Sequence, residues 1–232
     1  MDYRDRHVVV TGGTGALGAA VVHTLIERGA TCHVSFVHDG EAARFALRDH
    51  AQVITAKCDL TDEAAVARLY EAVPALWASV HLAGGFAAKP LGATGKSELA
   101  TQLDTNFVTC FLCCRAAVNA MGRGGVGGRI VNVAARPALE WRSGAGMTAY
   151  TASKAAVAAL TVALAEEVAK DGILVNAVAP SIMDTPANRA AMPKADHAAW
   201  PKVEEVAATI AFLASPQNHV TRGGVVPVYG RS

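Results

Sequence analysis

His7-Val-Val-Val10 runs directly into Thr11-Gly-Gly-Thr-Gly-Ala-Leu-Gly18, and Ala19-Ala-Val-Val-His-Thr-Leu-Ile-Glu27 follows before Arg28-Gly29 breaks the pattern. A short β-branched run, a glycine-rich turn and a helix-like stretch predict strand, turn and helix in that order. The glycine spacing matches a turn that cradles a pyrophosphate. Gly12 permits the tight turn, Gly15 lets backbone approach the phosphates, and Gly18 lets the helix pack on the strand. The unpaired N–H groups of the helix start face the anion, so Thr14, Ala16 and Leu17 are assigned to the same dinucleotide site.

Outward from that segment, apolar strand-like runs alternate with helical patterns. Strand candidates lie at 7–10, 31–37, 52–56, 79–83, 129–134, 173–178 and 225–228; helix candidates lie near 17–28, 40–49, 62–72, 97–121, 149–170 and 203–214. Glycine-rich 122–128 reads as the turn into the fifth strand, and no repeat or low-complexity linker interrupts the series. This rhythm predicts an α/β, single-domain Rossmann fold over 1–232: a doubly wound parallel sheet of about seven strands with helices on both faces. Ligand chemistry is expected at the carboxyl ends of the strands.

A chain of 232 residues, 52% apolar and with a formal net charge of +1, can bury one large core. Its near-neutrality offers nothing to nucleic acid or an anionic membrane. Asp2, Arg4, Asp5 and Arg6 precede the first strand in place of an apolar leader, so a cytoplasmic protein acting on a small molecule is expected. Cys32, Cys58, Cys110, Cys113 and Cys114 show no pairing pattern. Cys110-Phe-Leu-Cys113 has a metal half-site's spacing, but no second Cys/His pair completes it, so neither metal nor disulfide is expected. His23, His33 and His50 stand singly and read as helix or strand filler.

Tyr150 and Lys154, in Ala149-Tyr-Thr-Ala-Ser-Lys154, are four apart on a predicted helix and share a face. An ammonium beside a phenol would lower its pKa from about 10, making Tyr150 a candidate proton donor.

Taken with the glycine loop, this pair resembles the short-chain dehydrogenase/reductase family, and the resemblance covers essentially the whole chain. Asp59-Leu60 stands where that family binds adenine, and Ala83-Gly84-Gly85 stands at its Asn-Ala-Gly turn. Asn106 matches the helix asparagine of the proton relay. Asn176-Ala-Val-Ala-Pro180-Ser181, with Met183 and Thr185, matches the segment that holds the nicotinamide carboxamide. The resemblance implies an NAD(P)-dependent oxidoreductase in which Tyr150, Lys154 and Asn106 are catalytic. It also implies a homodimer or homotetramer through helices 97–121 and 149–170, the second being apolar nearly all round.

Some positions depart from the family pattern. Ala135 stands where a catalytic serine is usual, the family's asparagine turn reads His81-Leu82-Ala83, its usual Pro-Gly reads Pro180-Ser181, and the glycine loop has Gly15-Ala16 in place of a glycine at the sixth position. The departures are similar to quinonoid dihydropteridine reductases, as are Gly146-Met147, Asp184-Thr-Pro-Ala-Asn-Arg189 and the run from Met192 to Trp200. They imply hydride transfer to a conjugated C=N or C=O, an electrophile that needs less help from a hydroxyl donor. Ser143 or Thr148 is an alternative donor, and Ala135, Ser143, Met147, Met192 and Trp200 are assigned to the substrate side. A general carbonyl reductase of 3-oxoacyl or hydroxysteroid type, and a non-catalytic NAD(P) sensor, remain as other readings. For the cofactor, Phe36 occupies the end of the second strand where an acid would bind a ribose diol, and His38 or Arg44 is placed to meet a 2′-phosphate. The reading leans to NADP, with Asp39 one register step from reversing it.

Overall fold

Val8, Val9 and Val10 are fully buried, so strand β1 (His7–Thr11) must lie inside a sheet covered on both faces. A computed structural model describes residues 1–232. After β1 come α1 (Ala16–Ile26), β2 (Thr31–Phe36), α2 (Asp39–Arg44), β3 (Val53–Lys57), α3 (Glu63–Glu71) and β4 (Leu76–His81). The second half runs α4 (Lys96–Leu103), a π-helical turn (Asp104–Val108), α5 (Thr109–Gly124), β5 (Gly128–Val133), α6 (Arg136–Leu139) and α7 (Thr148–Glu167). It ends with β6 (Ile173–Pro180), α8 (Pro186–Ala191), α9 (Val203–Leu213) and β7 (Val225–Val228). All seven strands are parallel, in the order β3-β2-β1-β4-β5-β6-β7. The chain reverses its direction of winding between β1 and β4, which opens a crevice at their carboxyl ends.

Each face of the sheet carries its own core. On one face α1 and α9 bury Val21, Val22, Leu25, Val206 and Ile210 against β1, β2 and β4. On the other, α3, α5 and α7 bury Val66, Leu69, Cys110, Cys113, Met121 and Val157 against β1, β5 and β6. Helix α7 has the length and apolar composition to cross a membrane. Here it lays Ser153, Lys154, Val157 and Thr161, all buried, toward the sheet.

Most element boundaries shift by a few residues from the sequence reading, and three of the differences have a tertiary reason. Strand β4 begins at Leu76 and not near 79, because Trp77 is held between the guanidinium groups of Arg6 and Arg129, 4.1 and 5.0 Å from the ring centroid. Its indole N–H also donates to the Ala214 carbonyl at 3.0 Å. Helix α2 stops at Arg44 and not 49, because Phe45 takes an extended backbone and turns into the core. The long helix predicted over 97–121 is split by the π-helical turn, which leaves Asn106 buried where straight α-helix would displace it. Two short helices, α6 and α8, were not predicted; both start with proline in the first turn.

His33 is a buried side chain in β2, with Nε2 3.0 Å from His7 Nδ1. Burial, reinforced by His7, pushes its pKa down from 6.5 to about 4. Between those values the unfolded chain binds a proton that the folded chain refuses, so stability falls as the pH drops through this window. Thermal melts between pH 4 and 7 are expected to show a shallower acid loss for His33→Phe than for the wild type; equal slopes would assign the acid sensitivity elsewhere.

Candidate active site

A cleft of about 580 Å³ lies over the carboxyl ends of β1, β2 and β4. Gly12, Thr14, Gly15, Phe36, His38, Asp59, Leu60, Ala83 and Gly84 line it, so the structure brings together nine of the residues assigned from sequence. Gly12 has a φ of +64°, and a Cβ there would lie 2.7 Å from the Ala83 backbone nitrogen. A Cβ at Gly18 would meet the Gly12 carbonyl oxygen at 2.3 Å, so this glycine seats α1 against the turn. Gly15 differs, because its Cβ would approach only the Gly12 oxygen, at 3.5 Å. The chain's own packing does not demand glycine at 15, whereas bare backbone on the cleft wall suits a pyrophosphate at a helix start. Gly15 is the N-cap of α1, so Ala16 offers backbone at the first helical position while Leu17 points its side chain into the core.

The sequence reading missed Ser35, Val37, Glu41, Thr61, Leu82, Thr105 and Thr109, which also line the cleft beside Arg44. They come from β2, α2, the loops after β3 and β4, and the π-helical turn into α5, so only the tertiary fold gathers them. Asp39 pairs with Lys57 at 2.9 Å and is not part of the lining. Asp59 accepts from the Thr61 backbone N–H at 2.9 Å and its hydroxyl at 2.7 Å, and these bonds hold its pKa below the usual carboxylate range.

At the other end of the crevice, α7 carries Tyr150 and Lys154. Lys154 is buried, and Nζ donates to the Val133 carbonyl at 2.8 Å at the end of β5. Burial lowers its pKa to about 8, opposed by the nearby Cys110. The Tyr150 phenol moves the opposite way, up to about 12, also through burial. This corrects the expected lowering by Lys154: burial alone accounts for the shift, and the phenol keeps its proton near neutral pH. Phe86, not anticipated from sequence, meets Tyr150 edge-on with ring centroids 5.0 Å apart while remaining 64% exposed. Its only sequence signal is an aromatic residue directly after Gly84-Gly85.

Asn106 ties these parts together. Its amide donates to the Gly85 carbonyl at 3.0 Å and to Ser153 Oγ at 3.1 Å, while its oxygen accepts from Gly85 N–H at 3.0 Å. Ser153 in turn donates to the Tyr150 carbonyl at 2.7 Å. Gly84 cannot be enlarged, since a Cβ there would lie 2.8 Å from Asn106 Oδ1 and 3.4 Å from Lys154 Nζ.

The remaining assigned residues are not part of that cleft's lining; they lie after β5 and along the β6–α9 segment. Ala135 is a buried methyl at the N-cap of α6. Ser143 is exposed, and its hydroxyl donates to the Glu140 carbonyl at 2.7 Å, which spends the proton a substitute donor would need. Met147 lines a second cavity of about 290 Å³ with Ala87, Lys89 and Gln102. Pro180 closes β6, Ser181 Oγ donates to the Tyr229 carbonyl at 3.0 Å, and Thr185 caps α8 by accepting from Asn188 N–H at 3.2 Å. Met183 packs on the core. Trp200 is buried against His197, ring centroids 4.7 Å apart, so it anchors the loop while Met192 stays partly exposed.

Residues 6–196 match the family described as short chain dehydrogenase. The chain belongs to that family. Among its relatives, the cis-4-hydroxycyclohexanecarboxylate dehydrogenase of Sinomonas cyclohexanicum is 35% identical over 246 residues, covering 98% of this chain and 96% of that protein. The 3beta-hydroxysteroid dehydrogenase 1 of Eggerthella lenta is 31% identical, covering 99% and 94%. A solved short-chain type dehydrogenase/reductase from Mycobacterium ulcerans is similar in fold, with a TM-score of 0.89 and 25% identity over 100% of this chain and 90% of that one. As a short-chain dehydrogenase the protein is an oxidoreductase with an NAD(P)-binding Rossmann fold.

The buried lysine of this short-chain dehydrogenase costs stability. Between pH 8 and 10.5 the unfolded lysine still holds a proton that the folded one has released, so wild-type stability rises with pH across that interval. Relative to Lys154→Met, the wild type is expected to gain on raising the pH from 7.5 to 10, measured by paired denaturant melts, and the variant is expected to lose turnover. A stability difference independent of pH would place the lysine's pKa outside that window.

Proposed function

We propose that the protein is an NAD(P)-dependent reductase that delivers hydride to a conjugated C=N or C=O, with Tyr150 giving the proton. The carrying observation is a half-buried Tyr150 whose phenol burial keeps protonated, together with the buried methyl of Ala135 just after β5, where the family resemblance puts a serine. Without a hydroxyl to polarise the acceptor, the electrophile must be activated by its own conjugation, as in a quinonoid dihydropterin.

The bound cofactor supplies the hydride. Gly12, Gly15 and the start of α1 are suited to its pyrophosphate, Asp59 and Leu60 to adenine, and Lys154 to the nicotinamide-side ribose. Pro180, Ser181, Met183 and Thr185 are the residues for its carboxamide end. NADP is favoured because His38 and Arg44 line the cleft while Asp39 is engaged by Lys57. Lys154 orients the ribose and Tyr150 by charge. Asn106, bonded to Gly85 and Ser153, positions the Tyr150 turn and supports resupply of the proton. A protein that only sensed the cofactor would not need a buried lysine beside a proton donor. Phe111 and Val162, 45% and 46% exposed on α5 and α7, support pairing of those helices between subunits in a cytoplasmic dimer or tetramer.

A second reading is a dehydrogenase for alicyclic alcohols and ketones, favoured by the two relatives, whose names specify hydroxyl-bearing carbon rings. Loss of reduced-nicotinamide absorbance with quinonoid dihydropterin or a cyclic ketone, using NADPH and NADH in parallel, separates the two. Dihydropterin turnover above the enzyme-free rate, faster with NADPH, is expected. Turnover of the ketone alone selects the second reading, and turnover of neither rejects both.

Two variants sharpen the chemistry. Tyr150→Phe is expected to lower kcat by about 10²- to 10⁴-fold, the usual worth of a positioned proton donor. Ala135→Ser is expected to raise turnover of an unactivated ketone while leaving that of the dihydropterin nearly unchanged. An equal response of both substrates would separate Ala135 from substrate choice.

A further inference from the structure

The strongest unassigned cluster lies in the core, on the sheet side of α5. Cys110 and Cys113 have no completing partner in the sequence, but the fold pairs Cys110 with Cys114, one helical turn on, and brings His81 from the end of β4 to both. The donor atoms of His81, Cys110 and Cys114 all lie within 4.8 Å of one another, and all three residues are buried. Cys114 Sγ is 3.5 Å from His81 Nδ1 and 3.5 Å from Asn132 Oδ1. A tetrahedral zinc with Zn–S near 2.3 Å and Zn–N near 2.0 Å separates sulfur from nitrogen by about 3.5 Å.

We propose that His81 Nδ1, Cys110 Sγ, Cys114 Sγ and Asn132 Oδ1 form a structural zinc site between β4, β5 and α5. The outer contacts are already arranged. His81 Nε2 lies 2.8 Å from Ser79 Oγ, which lies 2.7 Å from the Tyr70 hydroxyl. The Asn132 amide donates to Thr161 Oγ1 at 2.9 Å, and Thr161 donates to the Val157 carbonyl at 2.8 Å. These bonds fix the imidazole and the amide, as partners behind a metal ligand do.

The proton balance is simple. Without metal, the 2.8 Å contact from His81 Nδ1 to Asn132 Oδ1 is an N–H donated to the amide oxygen. On binding, the imidazole stays neutral and its proton resides on Nε2, donated to Ser79. Both thiols ionise, two protons are released, and two thiolates cancel the charge of the dication. A neutral centre is what a buried site can hold. The nitrogen–oxygen edge opens by about half an ångström as the hydrogen bond gives way to coordination. Fully buried donors imply loading during folding.

The test uses the full chain, produced in zinc-supplemented medium and also refolded with zinc or cobalt(II). One zinc per chain by mass spectrometry, a concentration-dependent rise in Tm, and a cobalt spectrum with thiolate charge-transfer bands and tetrahedral d–d absorption are expected. Cys114→Ser and His81→Asn are expected to lose the metal and these bands. No stoichiometric metal after both treatments, a cobalt spectrum without thiolate bands, or metal retained in folded Cys114→Ser would each overturn the site. The wild-type cobalt spectrum decides the matter even if a variant does not fold.

Discussion

The buried amide of Asn106 is the contact on which the site depends. It joins the Gly84-Gly85 turn after β4 to Ser153 in α7, and it can do so only because the π-helical turn before α5 swings it inward. Leaving such an amide unpaired in the interior would cost about 1–3 kcal/mol per group, so turn, helix and tyrosine are held in one arrangement. Ser153 passes that constraint to the backbone of Tyr150. The glycines of the turn are the steric counterpart, because nothing larger fits between Asn106 and Lys154 at position 84.

Charge and burial then set the chemistry. Lys154 is a cation in a core, balanced by one backbone carbonyl and opposed by desolvation. Tyr150 is a phenol kept neutral by the same burial, which makes it a donor before it is a base. Phe86 closes the phenol's flank with an aromatic edge while its own outer face stays exposed. Ala135, a buried methyl just after β5, offers no hydroxyl to polarise an isolated ketone, and this supports a substrate that carries its own activation.

The core behind the site is unusually polar for a sheet-helix interface. Tyr70, Ser79, His81, Asn132 and Thr161 form one hydrogen-bonded chain from α3 through two central strands to α7. Such a network fixes strand register only if every member is satisfied, and here each has a partner. The replacement of an asparagine by His81 thus has a structural consequence, since an imidazole reaches both Ser79 and Asn132 and stands against Cys110 and Cys114.

The fold and about half of the site were legible in the sequence, because they rest on local order. Alternating strand and helix patterns determined the parallel sheet, glycine spacing determined the dinucleotide turn, and the four-residue step placed Tyr150 and Lys154 on one face. Tertiary structure decided what depends on register and distance. The cleft residues Glu41, Thr61 and Thr105 come from a helix, a loop and the π-helical turn and gather only in the folded chain, as Phe86 meets Tyr150 only there. The direction of the Tyr150 shift followed from burial, not from the neighbouring charge that spacing alone suggests. The meeting of His81 with Cys110 and Cys114 has the same origin: ligands drawn from a strand and a helix leave no fixed spacing in the chain.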